Sequence, residues 1–491
     1  MYIFKKVRYK KGKSLITFLS LRHRGGNVKI IFISLDTLRA KNLGCYGYKH
    51  PTSPYIDQIA KQGVLFEKAY ASDIPTEVAH TCLFTGKVGL TTGVVSHGSQ
   101  SSNLQKDYEW LPTILRKTGY TTAAVDNLYH LKEWFARGYQ YYINTIGKTR
   151  WIDGQTINNL AKPWINEHKD EDFFLFLHYW DPHTPYLPPK EYIPEFYDST
   201  KNPYDLTNKS MEPAYNHPAY PFFKYHHFDL LGNITDSNYV NALYDAEIRY
   251  LDDMIKDLDD YLCELGIKDD TMLILFGDHG ESLTEHDIYW DHCGLYEATV
   301  HVPMIIRWPR KIPEGIRVNR LVQHADLMPT ILEAIGHELP DNLDGKSLWP
   351  LIHGEHEEHH SQIFLSECAW QASRGIRTEQ YKYIETYDPG PFSRPPTELY
   401  DVINDPNEEN NLSHLLPGQV DRFKKKLNEW VESKLDDRED PMSVVLREEG
   451  LPFRRRIEKV LSEYGMTWDE WKANPIRQKI DFGVKTNSSS K

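Results

Sequence analysis

Short runs of nearly continuous apolar residues recur along the chain and predict buried β-strands. They are rich in β-branched and aromatic side chains, which is typical of parallel strands covered on both faces. Most are bounded by polar residues or by a glycine or proline. The clearest runs cover residues 29–34, 64–69, 121–125, 173–177, 271–276 and 302–306.

Segments between these runs carry helical patterns. Apolar residues at alternating steps of four and three predict a long amphipathic helix over residues 244–262. Shorter helices are indicated at 111–118, which stops at Gly119, and after Ser53-Pro54. Strands that alternate with helices predict an α/β fold with a doubly wound sheet. Ligands of such sheets bind beyond the carboxyl ends of the strands.

The pattern divides the chain into four parts. We expect a basic lead-in at 1–27 and a catalytic α/β domain at 28–355. Within that domain a stretch rich in proline and aromatic residues, 188–239, looks structureless and is a candidate substrate-selecting lid. Short strand patterns at 363–365 and 381–384, followed by a helical pattern at 420–432, indicate a smaller α+β subdomain over 356–435. A charged extension of helices and loops is expected at 436–491.

Composition narrows the class of function. Lysine and arginine total 57 against 70 acidic residues, a formal net charge of −13. A nucleic-acid partner is therefore not expected, because phosphate backbones need a concentrated basic surface. A small anionic ester remains acceptable as substrate, since a bound metal ion can make one pocket positive. The sequence leaves homo-oligomer formation open.

The cysteines and the apolar segments bear on location. Five cysteines without a C-x-x-C pair favour a reducing compartment. No segment reaches the about 18 apolar residues of a membrane span. The basic N-terminal segment is followed only by a short apolar stretch, 15–21, without a small-residue cleavage site. We therefore expect a cytoplasmic protein, with a weak signal peptide as the alternative.

Polar residues follow several of the predicted strands. Asp36 comes directly after the first strand, and Asp278-His279 follows the 271–276 strand. Carboxylate and imidazole side by side suit zinc, manganese or iron. His183 lies in a proline-stiffened loop after the 173–177 strand, and His292 lies in a polar segment. Taken singly, these residues also fit turn, capping or solvated-loop positions.

In combination these motifs resemble the sulfatase family of the alkaline phosphatase superfamily. The resemblance covers roughly residues 28–435. It implies a large mixed, mostly parallel sheet sandwiched by helices, with a smaller C-terminal α+β subdomain. The motifs are S-L-D-T-L-R at 34–39, L-G-C-Y-G at 43–47, D-H-G-E at 278–281 with His292, V-P-M-I-I-R at 302–307, D-L-M-P-T at 326–330, Y-K-Y at 381–383 and E-L-Y-D at 398–401.

One departure from the family pattern concerns the reacting residue. The sulfatase signature C-x-P-S-R-x-x-L-x-T-G begins with a cysteine that is converted to formylglycine. Aligning its end on Leu83 to Gly86 puts Thr76 at the cysteine and His80 at the arginine. Cys82 lies six positions too late. Formylglycine is therefore excluded, and a threonine there resembles the phosphoryl-transferring relatives, in which its oxygen attacks phosphorus.

The resemblance assigns roles to these residues. Asp36, Thr76, Asp278 and His279 are the expected ligands of one divalent ion, with Mn, Zn, Fe or Ca all acceptable. Thr76 is also the expected nucleophile, activated by that ion. His183 and His292 are candidates to bind the anion or protonate the leaving group, and His80 to orient the nucleophile loop. Asp181 is followed four residues later by Pro185, not histidine, which favours one ion and leaves a second open.

Three functions follow as hypotheses. The first is hydrolysis of phosphate or phosphonate esters through Thr76, with phosphodiesters favoured. The second is hydrolysis of sulfuric esters without formylglycine. The third is a catalytically silent binding homologue. The retained Asp36, Asp278 and His279 argue against the third, because a silent site has no physical need for three ligands.

Overall fold

A computed structural model describes residues 28–144, 152–355 and 359–474. The side chains of Tyr225 and His226 are also outside the description. The predicted lead-in at 1–27 and the end of the predicted extension, 475–491, lie outside the described residues. No helix in the described part of the chain is both long enough and apolar enough to cross a membrane.

Thirteen strands are present in the described ranges and form two sheets. In chain order they are β1 (Lys29–Leu35), β2 (Val64–Tyr70), β3 (Asp73–Ile74), β4 (Thr121–Val125), β5 (Tyr141–Ile143), β6 (Phe173–Tyr179), β7 (Thr271–Gly277), β8 (Met304–Arg307), β9 (Ile316–Gln323), β10 (Gln362–Cys368), β11 (Ala372–Thr378), β12 (Tyr381–Asp388) and β13 (Thr397–Asp401).

The larger sheet has eight strands in the order β5-β4-β6-β1-β7-β8-β2-β9. Only β8 runs antiparallel to its neighbours in this sheet. β1 is buried at all seven positions, as its unbroken apolar sequence predicts for a central strand. Its last residue, Leu35, is level with Tyr179 of β6 and Gly277 of β7. The residues that follow these three strands therefore meet at one edge of the sheet.

The smaller sheet has the order β13-β12-β11-β10-β3. It is antiparallel except at β3, which pairs parallel with β10 through Asp73 with Ser366 and Ile74 with Glu367. Because β3 immediately precedes Thr76, this pairing fixes the Thr76 segment to the C-terminal part of the chain. The sequence pattern did not predict β3, since two residues carry no periodicity.

Sixteen α-helices occur in the described residues, and those around the larger sheet cover both its faces. They are α1 (Pro54–Lys61), α2 (Thr76–Thr85), α3 (Gly89–Thr92), α4 (Leu111–Lys117), α5 (Gly154–His168), α6 (Glu212–Tyr215), α7 (Tyr220–Phe223), α8 (Asp229–Leu231), α9 (Ser237–Glu264), α10 (Glu297–Val300), α11 (Leu327–Ala334), α12 (Trp349–Ile352), α13 (Pro417–Leu435), α14 (Pro441–Glu448), α15 (Pro452–Ser462) and α16 (Trp468–Ala473). The predicted architecture, a mostly parallel sheet between helices with a second smaller sheet, is confirmed.

The proline-rich and aromatic insert is not structureless, which corrects the expectation from its sequence. It contains α6, α7, a π-helical turn over Lys224–Phe228 and α8. The C-terminal extension packs back on it. The Trp471 indole of α16 donates a hydrogen bond to the Pro218 carbonyl at 2.8 Å, and Phe453 of α15 contacts Phe222 at a ring separation of 5.5 Å. Aromatic contacts of this kind replace a regular hydrophobic periodicity.

A buried ion pair ties α9 to the sheet. Asp259 accepts a hydrogen bond at 2.7 Å from Arg307 of β8, whose side chain is fully buried. The Lys268 ammonium lies 2.9 Å from the same carboxylate. Pairing with these cations outweighs burial and lowers the pKa of Asp259.

Replacing Asp259 with alanine should lower the free energy of unfolding by about 3–5 kcal/mol, because the buried Arg307 charge would lose its partner. Asp260→Ala is the matched control, since Asp260 is half exposed and pairs only with Lys256 on the surface; its effect should stay below about 1 kcal/mol. Denaturant unfolding measures both. Equal losses in the two variants would contradict the importance of the buried pair.

Candidate active site and metal centre

Two strand ends bring three potential metal ligands together. Asp36 follows β1, and Asp278 and His279 follow β7. All three side chains are fully buried. One ligand atom from each lies within 4.8 Å of the other two. The sequence prediction that these residues share a site therefore agrees with the geometry.

The unpartnered atoms of this cluster face each other. Asp36 Oδ1 and Asp278 Oδ2 are buried without a hydrogen-bond partner, and His279 Nε2 lies 3.8 Å and 3.4 Å from them. His279 Nδ1 lies 3.1 Å from the Gly280 carbonyl, which can only accept, so Nδ1 carries the proton and Nε2 presents its lone pair. This is the arrangement of a metal-binding histidine held by a backbone carbonyl.

His178, which the sequence analysis did not single out, holds one of the cluster's carboxylates in place by hydrogen bonding. Its Nε2 donates to Asp36 Oδ2 at 3.1 Å, and its Nδ1 donates to Asp126 Oδ1 at 3.0 Å. Burial alone would lower the pKa of His178, but the two carboxylates outweigh it and raise the pKa to about 10. The ring is thus a cation that fixes one oxygen of Asp36 and leaves the other for the cluster.

A charge count supports a divalent cation at this place. Asp36, Asp278 and Asp126 bring three negative charges, and protonated His178 brings one positive charge. Two negative charges remain uncompensated in a dry interior, which is costly. Burial and the Asp278 carboxylate raise the pKa of Asp36 to about 7, because negative charge in this cluster lacks compensating positive charge. The residues present therefore fit one divalent ion.

Thr76 lies against this cluster. It is the first residue of α2 and is 2% exposed. Its Oγ1 lies 3.0 Å from His279 Nε2, so the hydroxyl donates to the lone pair that faces the cluster. Thr76 thus lies beside the cluster of potential ligands, and its role as the reacting residue stays a prediction. Cys82 lies further along the same helix, with its thiol 3.6 Å from Ser72 Oγ.

His80 stabilises the first turn of α2. Its Nδ1 donates to the Thr76 carbonyl at 2.8 Å, and its Nε2 accepts from Ser34 Oγ at 2.9 Å. Burial lowers the pKa of His80 to about 4, so the ring is neutral. These bonds hold the backbone of Thr76 in place, and an orienting role of His80 in catalysis stays a prediction.

His292 and His183 form the outer wall of the site. The His292 ring stacks on His279 at a centroid separation of 4.6 Å and lies 5.0 Å from His183. Burial would lower the pKa of His292, but Asp291 and Glu281, each 3.5 Å from Nδ1, raise it to about 9. His292 is therefore a protonated donor beside the ligands.

Asp181 is not brought into the cluster. Its Oδ2 accepts from the backbone of Gly154 at 2.8 Å, at the start of α5. Within the described ranges Asp181 belongs to no group of three side chains placed to hold an ion. A second ion on Asp181, left open by the sequence, therefore has no geometric support.

An aromatic cleft opens above Thr76. The insert contributes Phe222, Phe223 and His227 to its wall, and the C-terminal extension contributes Phe453 and Arg456. Trp180, His183, His292 and Trp370 complete much of the remaining lining. Parts of the chain that are distant in sequence thus shape the space next to the nucleophile candidate.

Sequence reasoning missed the supporting residues His178 and Asp126. A signal existed for His178, since it is a polar side chain one residue before the end of an otherwise apolar buried strand. Its partners could not be read from the sequence, because they depend on β6 lying next to β1 and β4. Glu281, which accepts from the Tyr186 hydroxyl at 2.9 Å, was visible only as part of the D-H-G-E motif.

Comparison with protein families tests the relationship to sulfatases that the motifs and the site geometry indicate. The model of the sulfatase family matches residues 29–337. The chain belongs to the sulfatase family. A second family model, described as N-sulphoglucosamine sulphohydrolase, C-terminal, matches residues 284–437.

Individual sulfatase-family relatives agree along most of the chain. It is 24% identical over 467 residues to an N-acetylglucosamine-6-O-sulfatase of Bacteroides thetaiotaomicron, covering 78% of this chain and 82% of that protein. It is 26% identical over 432 residues to a ulvan-active sulfatase of Formosa agariphila, covering 78% and 75%. The solved phosphonate monoester hydrolase of Agrobacterium radiobacter superposes with a TM-score of 0.67 at 21% identity, covering 83% of this chain and 96% of that one.

Membership confirms the predicted family, its alkaline phosphatase superfamily and the predicted class of ester hydrolase. It also supports metal dependence, for which the buried Asp36, Asp278 and His279 provide a set of ligands. The identity of the ion stays open.

Asp278→Ala should abolish binding of the divalent ion while the fold persists, because the variant removes one charged ligand and one of two uncompensated charges. Metal content of the purified protein, with circular dichroism as a check on folding, measures this. Asp181→Ala is the matched control, since Asp181 is a partly buried aspartate after the neighbouring strand β6 and its variant should keep the ion. Unchanged metal content at this centre in Asp278→Ala would refute the ligand assignment.

Proposed function

We propose that this sulfatase-family protein hydrolyses phosphate or phosphonate esters, with phosphodiesters preferred and with Thr76 as nucleophile. The observation that carries the proposal is the 3.0 Å contact of Thr76 Oγ1 with His279 Nε2 inside the Asp36, Asp278 and His279 cluster. A hydroxyl in this position takes the place of the formylglycine of the family signature. The structural likeness to a phosphonate monoester hydrolase supports the same class of chemistry.

Asp36, Asp278 and His279 would hold the divalent ion, with Thr76 as a further ligand. The ion would lower the pKa of the Thr76 hydroxyl and neutralise charge on the ester oxygens. Thr76 gives its proton to solvent before the attack, and His80 keeps its backbone fixed. His178 stays protonated between Asp36 and Asp126 and maintains the orientation of Asp36. The chain thus positions the nucleophile before substrate arrives.

The chemical step joins Thr76 Oγ1 to phosphorus and breaks the bond from phosphorus to the leaving oxygen. His292, held protonated by Asp291 and Glu281, donates a proton to that oxygen, with His183 beside it to bind the anion. A water molecule then attacks the phosphorus of the phosphothreonine and gives a proton to His292, while Thr76 leaves as the alkoxide and regains from solvent the proton that it gave up. Overall, one ester and one water molecule are converted to one alcohol and one acid.

Sulfuric ester hydrolysis is the second candidate, favoured by the sulfatases among the relatives. It faces a chemical obstacle at the second step. The hydrate of formylglycine carries another hydroxyl on the same carbon, whose elimination expels sulfate, and threonine has none. Sulfate turnover through Thr76 should therefore be slow, whereas a phosphothreonine is open to attack by water at phosphorus.

The aromatic cleft supports a role for the insert in selecting the leaving group. Phe222 and Phe223 of α7 pack with Trp370 at ring separations of 5.1 Å and 5.6 Å. Phe453 lies 4.9 Å from Trp370. Such a wall binds the apolar face of a leaving group and excludes water from it. The insert is accordingly proposed as a substrate-selecting lid.

Thr76→Ala should lower kcat for a nitrophenyl phosphodiester by at least about a thousandfold, because the nucleophile is removed. Rates for matched phosphonate monoester, phosphomonoester and sulfate esters are measured in parallel. Thr76→Ser should restore part of the rate, since it keeps the hydroxyl. Thr81→Val is the matched control on the same helix. The Thr81 hydroxyl donates to the Glu77 carbonyl and accepts from the Trp134 indole, and it does not contact the ligand cluster.

The outcomes separate the candidates. A phosphodiester preference lost in Thr76→Ala and kept in Thr81→Val supports the proposal. A sulfate preference lost in the same variant supports sulfuric ester hydrolysis by threonine and overturns the proposed substrate. Absence of any turnover in metal-loaded protein would favour the silent homologue.

Phe222→Ala should raise KM about tenfold for an aryl phosphodiester and leave KM for a dimethyl phosphodiester nearly unchanged, because only the aryl group reaches the cleft wall. Tyr204→Ala is the matched control, since Tyr204 is a 47% exposed aromatic residue of the insert that does not line the cleft. Parallel changes in KM for both esters would argue against leaving-group selection by the insert.

A further inference from the structure

A second cluster of metal-ligating side chains lies between the two sheets. Asp326 ends a 3₁₀ turn over His324–Asp326, directly after β9 of the larger sheet. His359 and His360 lie three and two residues, respectively, before β10 of the smaller sheet. His360 also forms a β-bridge with Leu321 of β9. The cluster therefore joins the edge strand of one sheet to the segment that enters the other.

Both imidazoles aim the same nitrogen at one carboxylate. His360 Nε2 lies 2.9 Å from Asp326 Oδ1 and 3.1 Å from Oδ2, and His359 Nε2 lies 3.2 Å from Oδ2. The ligand atoms of all three residues lie within 4.8 Å of one another. A tetrahedral zinc ion with bonds of about 2.0–2.1 Å places its ligand atoms roughly 3.3 Å apart, so these separations suit a shared ion.

Hydrogen bonds from the two rings to Asp326 are the alternative, but the carboxylate is already heavily used. The backbone amides of Gln323 and Lys346 each donate to it at 2.8 Å. A carboxylate offers about four lone-pair sites, and the two amides occupy two of them. The three contacts from His359 and His360 must therefore share the two sites that are left. One ion bound to the carboxylate and both rings would satisfy the same groups without this crowding.

We propose that Asp326, His359 and His360 bind a structural divalent ion of the zinc type. Asp326 is fully buried, whereas the side chains of His359 and His360 are 6% and 10% exposed. The two histidines therefore leave access for a water molecule as fourth ligand.

The position of this ion defines its role. The turn that ends at Asp326 also contacts the strand that carries the catalytic cluster, because His324 Nε2 donates to the Gly277 carbonyl at 2.9 Å. On the other side, β10 pairs with β3, which precedes Thr76. An ion here would fix the larger sheet, with Asp278, relative to the smaller sheet, with Thr76. The inference rests on these contacts alone and is independent of the substrate proposed above.

Metal analysis of full-length protein incubated with Zn²⁺ and then freed of loosely bound ions tests the proposal. Wild type should hold two ions per chain, Asp278→Ala one and His359→Ala/His360→Ala one, and the triple variant none. The double variant His337→Ala/His353→Ala is the matched control and should hold two, because it removes two histidines that do not belong to the cluster.

Cobalt(II) provides a readout specific to this site. In the Asp278→Ala background, only the proposed site remains, and Co²⁺ should give the intense visible absorption of a tetrahedral centre. Adding His359→Gln/His360→Gln, which preserves polarity and bulk if the alanine variants fail to fold, should remove it. Equal zinc content in wild-type and folded His359→Gln/His360→Gln protein, or no tetrahedral Co²⁺ absorption in folded Asp278→Ala protein, would overturn the proposal.

Discussion

The structure of the site depends on two buried carboxylates held level at the ends of adjacent parallel strands. The register of β1 and β7 places Asp36 and Asp278 together, and continuous apolar sequence keeps water out of the strands below them. Such a pair is tolerated only with positive charge nearby. His178 supplies one charge from the third strand, and a divalent ion would supply the rest. The His279 lone pair faces the same carboxylates and accepts from the Thr76 hydroxyl.

Much of this arrangement could be predicted because it follows from local sequence. Unbroken apolar runs identify β1, β6 and β7, and a polar residue after each run is placed at a common edge by the geometry of parallel sheets. β9 was not predicted, since four of its eight positions are at least partly exposed and its sequence is half polar. The hydrogen bonds of His178 to Asp36 and Asp126 could not be predicted either, because they depend on which strands are neighbours in the sheet.

The cleft shows a second limit of sequence reasoning. Its aromatic wall combines Phe222 of the insert, Trp370 after β10 and Phe453 of the extension. Each segment taken alone has little hydrophobic periodicity and few apolar residues to pack against, so the sequence suggested a structureless insert. Short helices are stable there because aromatic rings from distant segments bury one another, and tertiary packing rather than intrinsic propensity decides helices of this length. The substrate side of the site was therefore less predictable than the metal side.

Thr76, the proposed reacting residue, and His80, which aligns with the signature arginine, are linked through charge. An arginine at position 80 would add a permanent positive charge beside Asp278, whereas neutral His80, whose Nδ1 lies 3.8 Å from Asp278 Oδ2, adds none. The inner cluster therefore relies more strongly on its metal ion. A threonine hydroxyl, with a pKa far above neutrality, needs that ion more than a formylglycine hydrate does. Both departures from the family signature thus favour the proposed mechanism, in which a bound cation, rather than a modified side chain, would make Thr76 reactive.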